Sequence, residues 1–187
     1  MNNQLKPRLK SLYQDQIIKE LMAEFNLKNP HQVSRLQKIV INSGLGKAKD
    51  DKKILDIADN TFLKITGQKP VKRLAKKSIA SFKIRQGNAI GLCVTLRRDY
   101  MYEFLDRLIN LVLPRVRDFH GVSNTAFDRQ GNYSIGLSDQ TIFPEITFEE
   151  TSMLHGLQIN FVFDKPNKDM NQSLLRKFGM PFKKENK

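Results

Sequence analysis

Residues 90–98 read IGLCVTLRR. Leu92, Val94 and Leu96 alternate with Cys93, Thr95 and Arg97, the two-residue period of a half-buried strand. Asp99 follows as the expected N-cap of a helix reaching Leu113, which Pro114 stops. Working outward, Leu36 to Asn42 (LQKIVIN) is a second strand, β-branched at its centre and ended by Gly44 and Gly46. A third runs from Leu157 to Phe163. Between and around them lie segments of helical period. Leu9, Leu12, Tyr13, Ile17, Leu21 and Phe25 form one stripe over Pro7–Phe25, with Pro7 suited to the first turn. Ile54, Leu55, Ala58, Phe62 and Ile65 form another over about Asp50–Ile65, which Gly67 stops. A last helix spans about Asp169–Phe178, closed by Gly179 and Pro181. The stretch from His120 to Gly136 is rich in glycine and polar residues and has no assigned element. Strands and helices mixed without a strict βαβ period predict an α+β fold: a mostly antiparallel sheet with helices packed on one face.

No repeat or long linker divides the chain, so 1–187 is expected to be a single domain. A long, protruding basic loop is expected at about 72–88. Its few large apolar residues, Leu74, Ile79, Phe82 and Ile84, make no core of their own, and loops of such length are usually functional.

The chain carries 32 Lys plus Arg against 19 Asp plus Glu, a net charge of +13, and that charge is localised. From Asn60 to Arg98 there are ten basic residues and no acidic one, while residues 130–164 hold five acidic residues and no basic one. Repulsion along a carboxylate-free basic run is relieved when an anion lies against it, which points to a polyanion, most often nucleic acid. With 40% hydrophobic residues the chain has material for a core and is not expected to be disordered. No apolar run approaches the ~20 residues of a membrane span. The start, MNNQLKPRLK, has no apolar stretch, and Asp15, Glu20 and Glu24 argue against an import peptide. A soluble intracellular protein is expected.

Chemistry finds no site in these residues. Gly44-x-Gly46 lacks the third glycine of a dinucleotide fingerprint, because Lys49 stands there, and Gly46-Lys47 is followed by Ala48 rather than a hydroxyl residue. His31, His120 and His155 show no ligand spacing and are expected at the surface or in turns. Glu149 and Glu150 are adjacent, so on a strand they point to opposite faces. Cys93, the only cysteine, excludes disulfides and is expected to be a small buried hydrophobe or a quiet surface residue. No catalytic residue, metal, cofactor, membrane or small-molecule substrate is expected. The basic segment suits RNA better. Lys69, Lys72, Arg73, Lys76, Lys77, Lys83 and Arg85 are interleaved with Ser78, Ser81, Gln86 and Gly87, a composition for phosphate contacts that ignore base sequence.

Six runs in order, LQKIVINSGLGKA (36–48), ITGQKPV (65–71), AKKSIASFKIRQGNAIGLCVTLRR (75–98), LPRVRDFHG (113–121), FDRQGNYSIG (127–136) and IFPEITF (142–148), resemble the large ribosomal subunit protein five family in its bacterial form. The resemblance implies a non-enzymatic constituent of the large subunit, cytoplasmic on the ribosome. It implies binding of 5S ribosomal RNA in the central protuberance through one side of the sheet, at Asn42, Gln68, Thr95 and Arg97. It further implies that the loop approaches peptidyl-site transfer RNA with Arg73, Lys76, Lys77, Ser78, Lys83 and Arg85. Implied partners are 23S ribosomal RNA, other 5S-binding large-subunit proteins, and small-subunit protein thirteen across an intersubunit bridge. Charge alone suggests that Asp139, Glu145, Glu149 and Glu150 meet a basic protein. The chain departs from the family's usual pattern at His120 and His155, where Arg is common, at Arg129-Gln130, and at Asn88-Ala89. Each Arg-to-His exchange removes a permanently charged fork.

Overall fold

The computed structural model describes residues 6–46, 52–147 and 154–183. The first apolar stripe forms α1 (Arg8–Leu12), a π-helical turn (Tyr13–Ile17) and α2 (Ile18–Glu24). Leu9, Tyr13, Ile17 and Leu21 are buried, whereas Leu12 and Phe25 are half-buried. Pro7 is the N-cap rather than a first-turn residue. Then come β1 (Leu36–Gly44), α3 (Lys52–Thr66), β2 (Val71–Leu74), β3 (Ala89–Leu96) and α4 (Arg98–Arg107). A second π-helical turn (Leu108–Val112) and a 3-10 turn (Leu113–Arg115) extend α4. The chain closes with β4 (Tyr133–Leu137), β5 (Leu157–Phe163) and α5 (Lys168–Lys177).

The strands form one antiparallel sheet in the order β2-β3-β1-β5-β4, so the class is α+β. Along β4 and β5 every second side chain is buried: Tyr133, Ile135 and Leu137, then Leu157, Ile159, Phe161 and Phe163. Their neighbours along the strand are exposed or half-buried, the pattern of a sheet packed on one face.

Three expectations are corrected. Residues 72–74 are not loop: β2 pairs antiparallel with β3, Val71 opposite Cys93 and Arg73 opposite Gly91. Residues 133–137, left without an element, form β4. Asp99 does not cap α4, because Arg97 already holds the extended N-cap position at φ −139° and Arg98 turns the chain at φ 53°. Asp99 lies in the first turn, where a carboxylate complements the helix dipole, and accepts a 2.6 Å hydrogen bond from Lys10 Nζ.

The contacts gather the chain into two compact units. Met1–Ile39, Arg97–Ile135 and Asn160–Lys187 form the first. Its core includes the rings of Tyr13, Tyr102 and Phe178, and that of Tyr133, against which the half-buried rings of Phe127 and Phe182 lie. Asn171 on α5 is fully buried there: its Nδ2 donates to the Gly131 and Lys165 carbonyls at 3.0 Å each, and its Oδ1 accepts from the Ser34 hydroxyl. Val40–Leu96 and Gly136–Ile159 form the second unit. In it α3 turns Leu55, Ala58, Phe62 and Ile65 inward, packs against β3, and ends at Gly67 with φ 67°.

Candidate nucleic-acid interface

The period-2 pleat decides which side chains of the second unit face α3. Leu92, Val94 and Leu96 of β3 are buried. Lys72, opposite Leu92, reaches Asp56 of α3 at 3.6 Å, so this side faces the helix. Gly91, Cys93 and Thr95 therefore lie on the other side. On β1, buried Ser43 contacts His155, whose ring stacks on Phe62 of α3, so Asn42 points away from the helix. Asn42 and Thr95, both half-buried, thus share the helix-free side of two adjacent strands. Arg73 joins them from β2, its Nη2 donating to Cys93 Sγ at 3.6 Å.

Gln68 is exposed in the turn after α3, where its backbone N–H donates to the Thr66 hydroxyl at 3.2 Å. Arg97 is exposed at the N-cap of α4, within the first unit. Cys93 is 6% exposed, in keeping with a small buried hydrophobe.

Between β2 and β3, Ala75–Asn88 folds back on itself. The Ala75 N–H donates to the Asn88 carbonyl at 2.8 Å, and Ile79 and Ile84 exchange both backbone bonds, at 2.8 and 3.1 Å. At the tip a 3-10 turn (Ala80–Phe82) leads into Lys83 at φ 52°. Ser78 serves this turn by accepting the Gln86 N–H at 3.0 Å, which leaves its O–H proton able to donate outward. Lys76, Lys77, Lys83 and Arg85 are all exposed. Among the described residues none of these four makes an ion pair, unlike Lys72. Four cations without an ion-pair partner among the described residues, on a short hydrogen-bonded hairpin beside short polar side chains on a sheet, have the chemistry that suits phosphates and 2′-hydroxyls.

The histidines divide. His31 and His120 are exposed, but His155, expected at the surface or in a turn, is 7% exposed with its pKa held below the usual histidine value by burial. Its setting comes from residues distant in sequence, which a local pattern does not encode. Glu149 and Glu150 lie outside the described residues; Asp139 and Glu145 are half-buried. Among the described residues no group of His, Cys, Asp and Glu is arranged to hold a metal ion, and no helix is long and apolar enough to cross a membrane.

Two family models cover most of the chain: "Ribosomal protein L5" matches residues 29–85, and "ribosomal L5P family C-terminus" matches residues 89–182. The chain is 54% identical over 176 residues to the "Large ribosomal subunit protein uL5" of Trichlorobacter lovleyi, covering 94% of this chain and 98% of the relative. It is 51% identical over 175 residues to that of Clostridium kluyveri, covering 94% and 97%. To the "Large ribosomal subunit protein uL5c" of Gracilaria tenuistipitata var. liui it is 51% identical over 174 residues, covering 93% and 97%. With two family models and relatives of about half identity matching over nearly the full length, the chain belongs to the ribosomal L5 family, structural proteins of the large ribosomal subunit and not enzymes.

Proposed function

We propose that this large-subunit protein binds 5S ribosomal RNA through Asn42, Gln68, Thr95 and Arg97 and attaches that RNA in the central protuberance. The hairpin, with Arg73, Lys76, Lys77, Ser78, Lys83 and Arg85, acts as a protruding loop toward peptidyl-site transfer RNA. In this reading residues 1–187 act as one RNA-binding ribosomal domain in the cytoplasm. Its partners are 23S ribosomal RNA, other 5S-binding proteins, and small-subunit protein thirteen at an intersubunit bridge. The acidic segment with Asp139 and Glu145 is the side for a basic protein. The protein holds these partners by charge and shape and performs no chemistry.

The observation that carries the reading is the pairing of two surfaces: uncompensated cations at 76, 77, 83 and 85, and Asn42 and Thr95 together on the helix-free side of the sheet. The first supplies sequence-independent attraction; the second supplies short hydrogen-bonding groups that fit the shallow minor groove of an RNA helix. Binding of the purified protein to 5S ribosomal RNA, compared with an unrelated duplex of equal length, tests it. Asn42→Ala with Thr95→Ala weakens the 5S complex more than the unrelated one. Equal losses on both RNAs refute the assignment.

A further inference from the structure

Ser43 and His155 form a buried polar contact that the RNA-binding surface does not touch. Ser43 Oγ lies 2.8 Å from the Gly156 carbonyl and 3.3 Å from His155 Nδ1. A hydroxyl has one proton, and the carbonyl, having none, must receive it. The imidazole contact therefore runs the other way, with Nδ1–H donating to Oγ, which fixes the neutral tautomer by the surrounding bonds. His155 is itself fixed twice. Its backbone N–H donates to Gln140 Oε1 at 2.8 Å, and its ring lies 6.2 Å from that of Phe62 at 26°. On the other side of β1, the Leu45 N–H donates to the Ile90 carbonyl at 2.8 Å, and β3 approaches Ser43 closely at Gly91. The end of β1 is thus clamped from both flanks. Asn42 is the adjacent residue, turned to the opposite side of the strand.

We propose that His155 is a positioning residue for RNA recognition: by donating to Ser43 it locks the end of β1 and so sets the direction in which Asn42 meets the RNA. This rests on the reading of Asn42 as an RNA contact. The imidazole touches no RNA itself and acts through one hydroxyl.

The test measures dissociation constants for 5S ribosomal RNA and for an unrelated duplex, at one salt concentration, with a melting temperature for every protein. One internal hydrogen bond is worth about fivefold at most to a contact it positions, so His155→Leu weakens the 5S complex by up to about that factor and leaves the duplex unchanged. His155→Asn, whose amide nitrogen takes the place of Nδ1, restores the affinity. Ser43→Ala gives the same selective loss, and adding His155→Leu to it costs nothing further. If His155→Leu does not fold, the Ser43→Ala protein and the His155→Asn rescue carry the test. Equal losses on both RNAs, additive losses, or no rescue by asparagine overturn the proposal. Asn42→Ala is run alongside. If it binds 5S ribosomal RNA normally, the reading of Asn42 fails and the proposal with it. If it binds weakly while His155→Leu binds normally, the positioning role alone is refuted.

Discussion

Replacing Gly91 with alanine puts a methyl carbon 2.7 Å from the Ser43 carbonyl oxygen, with the Ser43 carbonyl carbon at 3.7 Å and Gly44 Cα at 3.8 Å. Ordinary contact begins at 3.4 Å, so β1 and β3 must separate locally by about 0.7 Å. Nothing in this pair yields easily: the obstacle is backbone, and the Leu45–Ile90 bond ties the two segments together just past the end of β1. Overpacking of this kind costs roughly 1–3 kcal/mol. The smaller unfolded-state entropy of alanine returns about 0.4–1 kcal/mol. A net loss centred on about 1.3 kcal/mol is expected, a fall in melting temperature of roughly 3–5 °C for a chain of this size. Gly136→Ala is the matched control, because a Cβ at that exposed β4 position meets nothing within 4 Å. It keeps only the entropic gain and melts slightly higher than the parent. Thermal unfolding of the three proteins side by side decides the matter. A Gly91→Ala protein as stable as Gly136→Ala refutes the claim that the strands are in contact at this point.

The buried hub of the first unit is expected to be costlier: Asn171→Ala leaves the Gly131 and Lys165 carbonyls and the Ser34 hydroxyl without their partner, a loss of about 2–4 kcal/mol by urea unfolding. The Lys76→Gln, Lys77→Gln, Lys83→Gln triple variant makes the log–log salt slope of RNA binding shallower by about 0.7–0.9 for each phosphate contact removed; an unchanged slope means these cations do not neutralise phosphates. His155 has a folded pKa below its unfolded value of 6.5, lowered chiefly by burial. Its neutral form is the one that fits, so stability is complete above 6.5 and falls as the pH drops from 6.5 toward the folded value. Denaturant midpoints above and below neutrality are expected to differ less for His155→Asn than for the parent.

Strand patterns that combine burial with alternation were legible in sequence. β5 was expected at Leu157–Phe163 and is found there, and β1 and β3 shift by no more than two residues at an end. Each presents apolar residues to one side at period 2. β2 was not legible, because all four of its residues are exposed and it is held by pairing with β3 rather than by a buried face. β4 carried the signal: Tyr133, Ile135 and Leu137 alternate and are buried, but Ser134, Gly136 and the polar residues before them masked it. Parity along LQKIVIN and IGLCVTLRR separates Asn42 and Thr95 from their buried neighbours. Their meeting on one side of the sheet depends on which strands are adjacent, and that is long-range pairing. The same holds for His155, whose partners lie at 43, 62 and 140.

Strand order leaves β2 at the end of the sheet, and among the described residues no further strand lies beyond it. Such a border offers unsatisfied N–H and C=O groups to any extended chain that drifts alongside, including another copy of this one. Val71 and Leu74 would reward that association, being 61% and 58% exposed. Lys72 and Arg73 sit between them; Lys72 reaches Asp56 at 3.6 Å, but a second copy laid alongside would still bring the like charges of the two edges together. Like charge along this border therefore disfavours its pairing with a second copy of the chain.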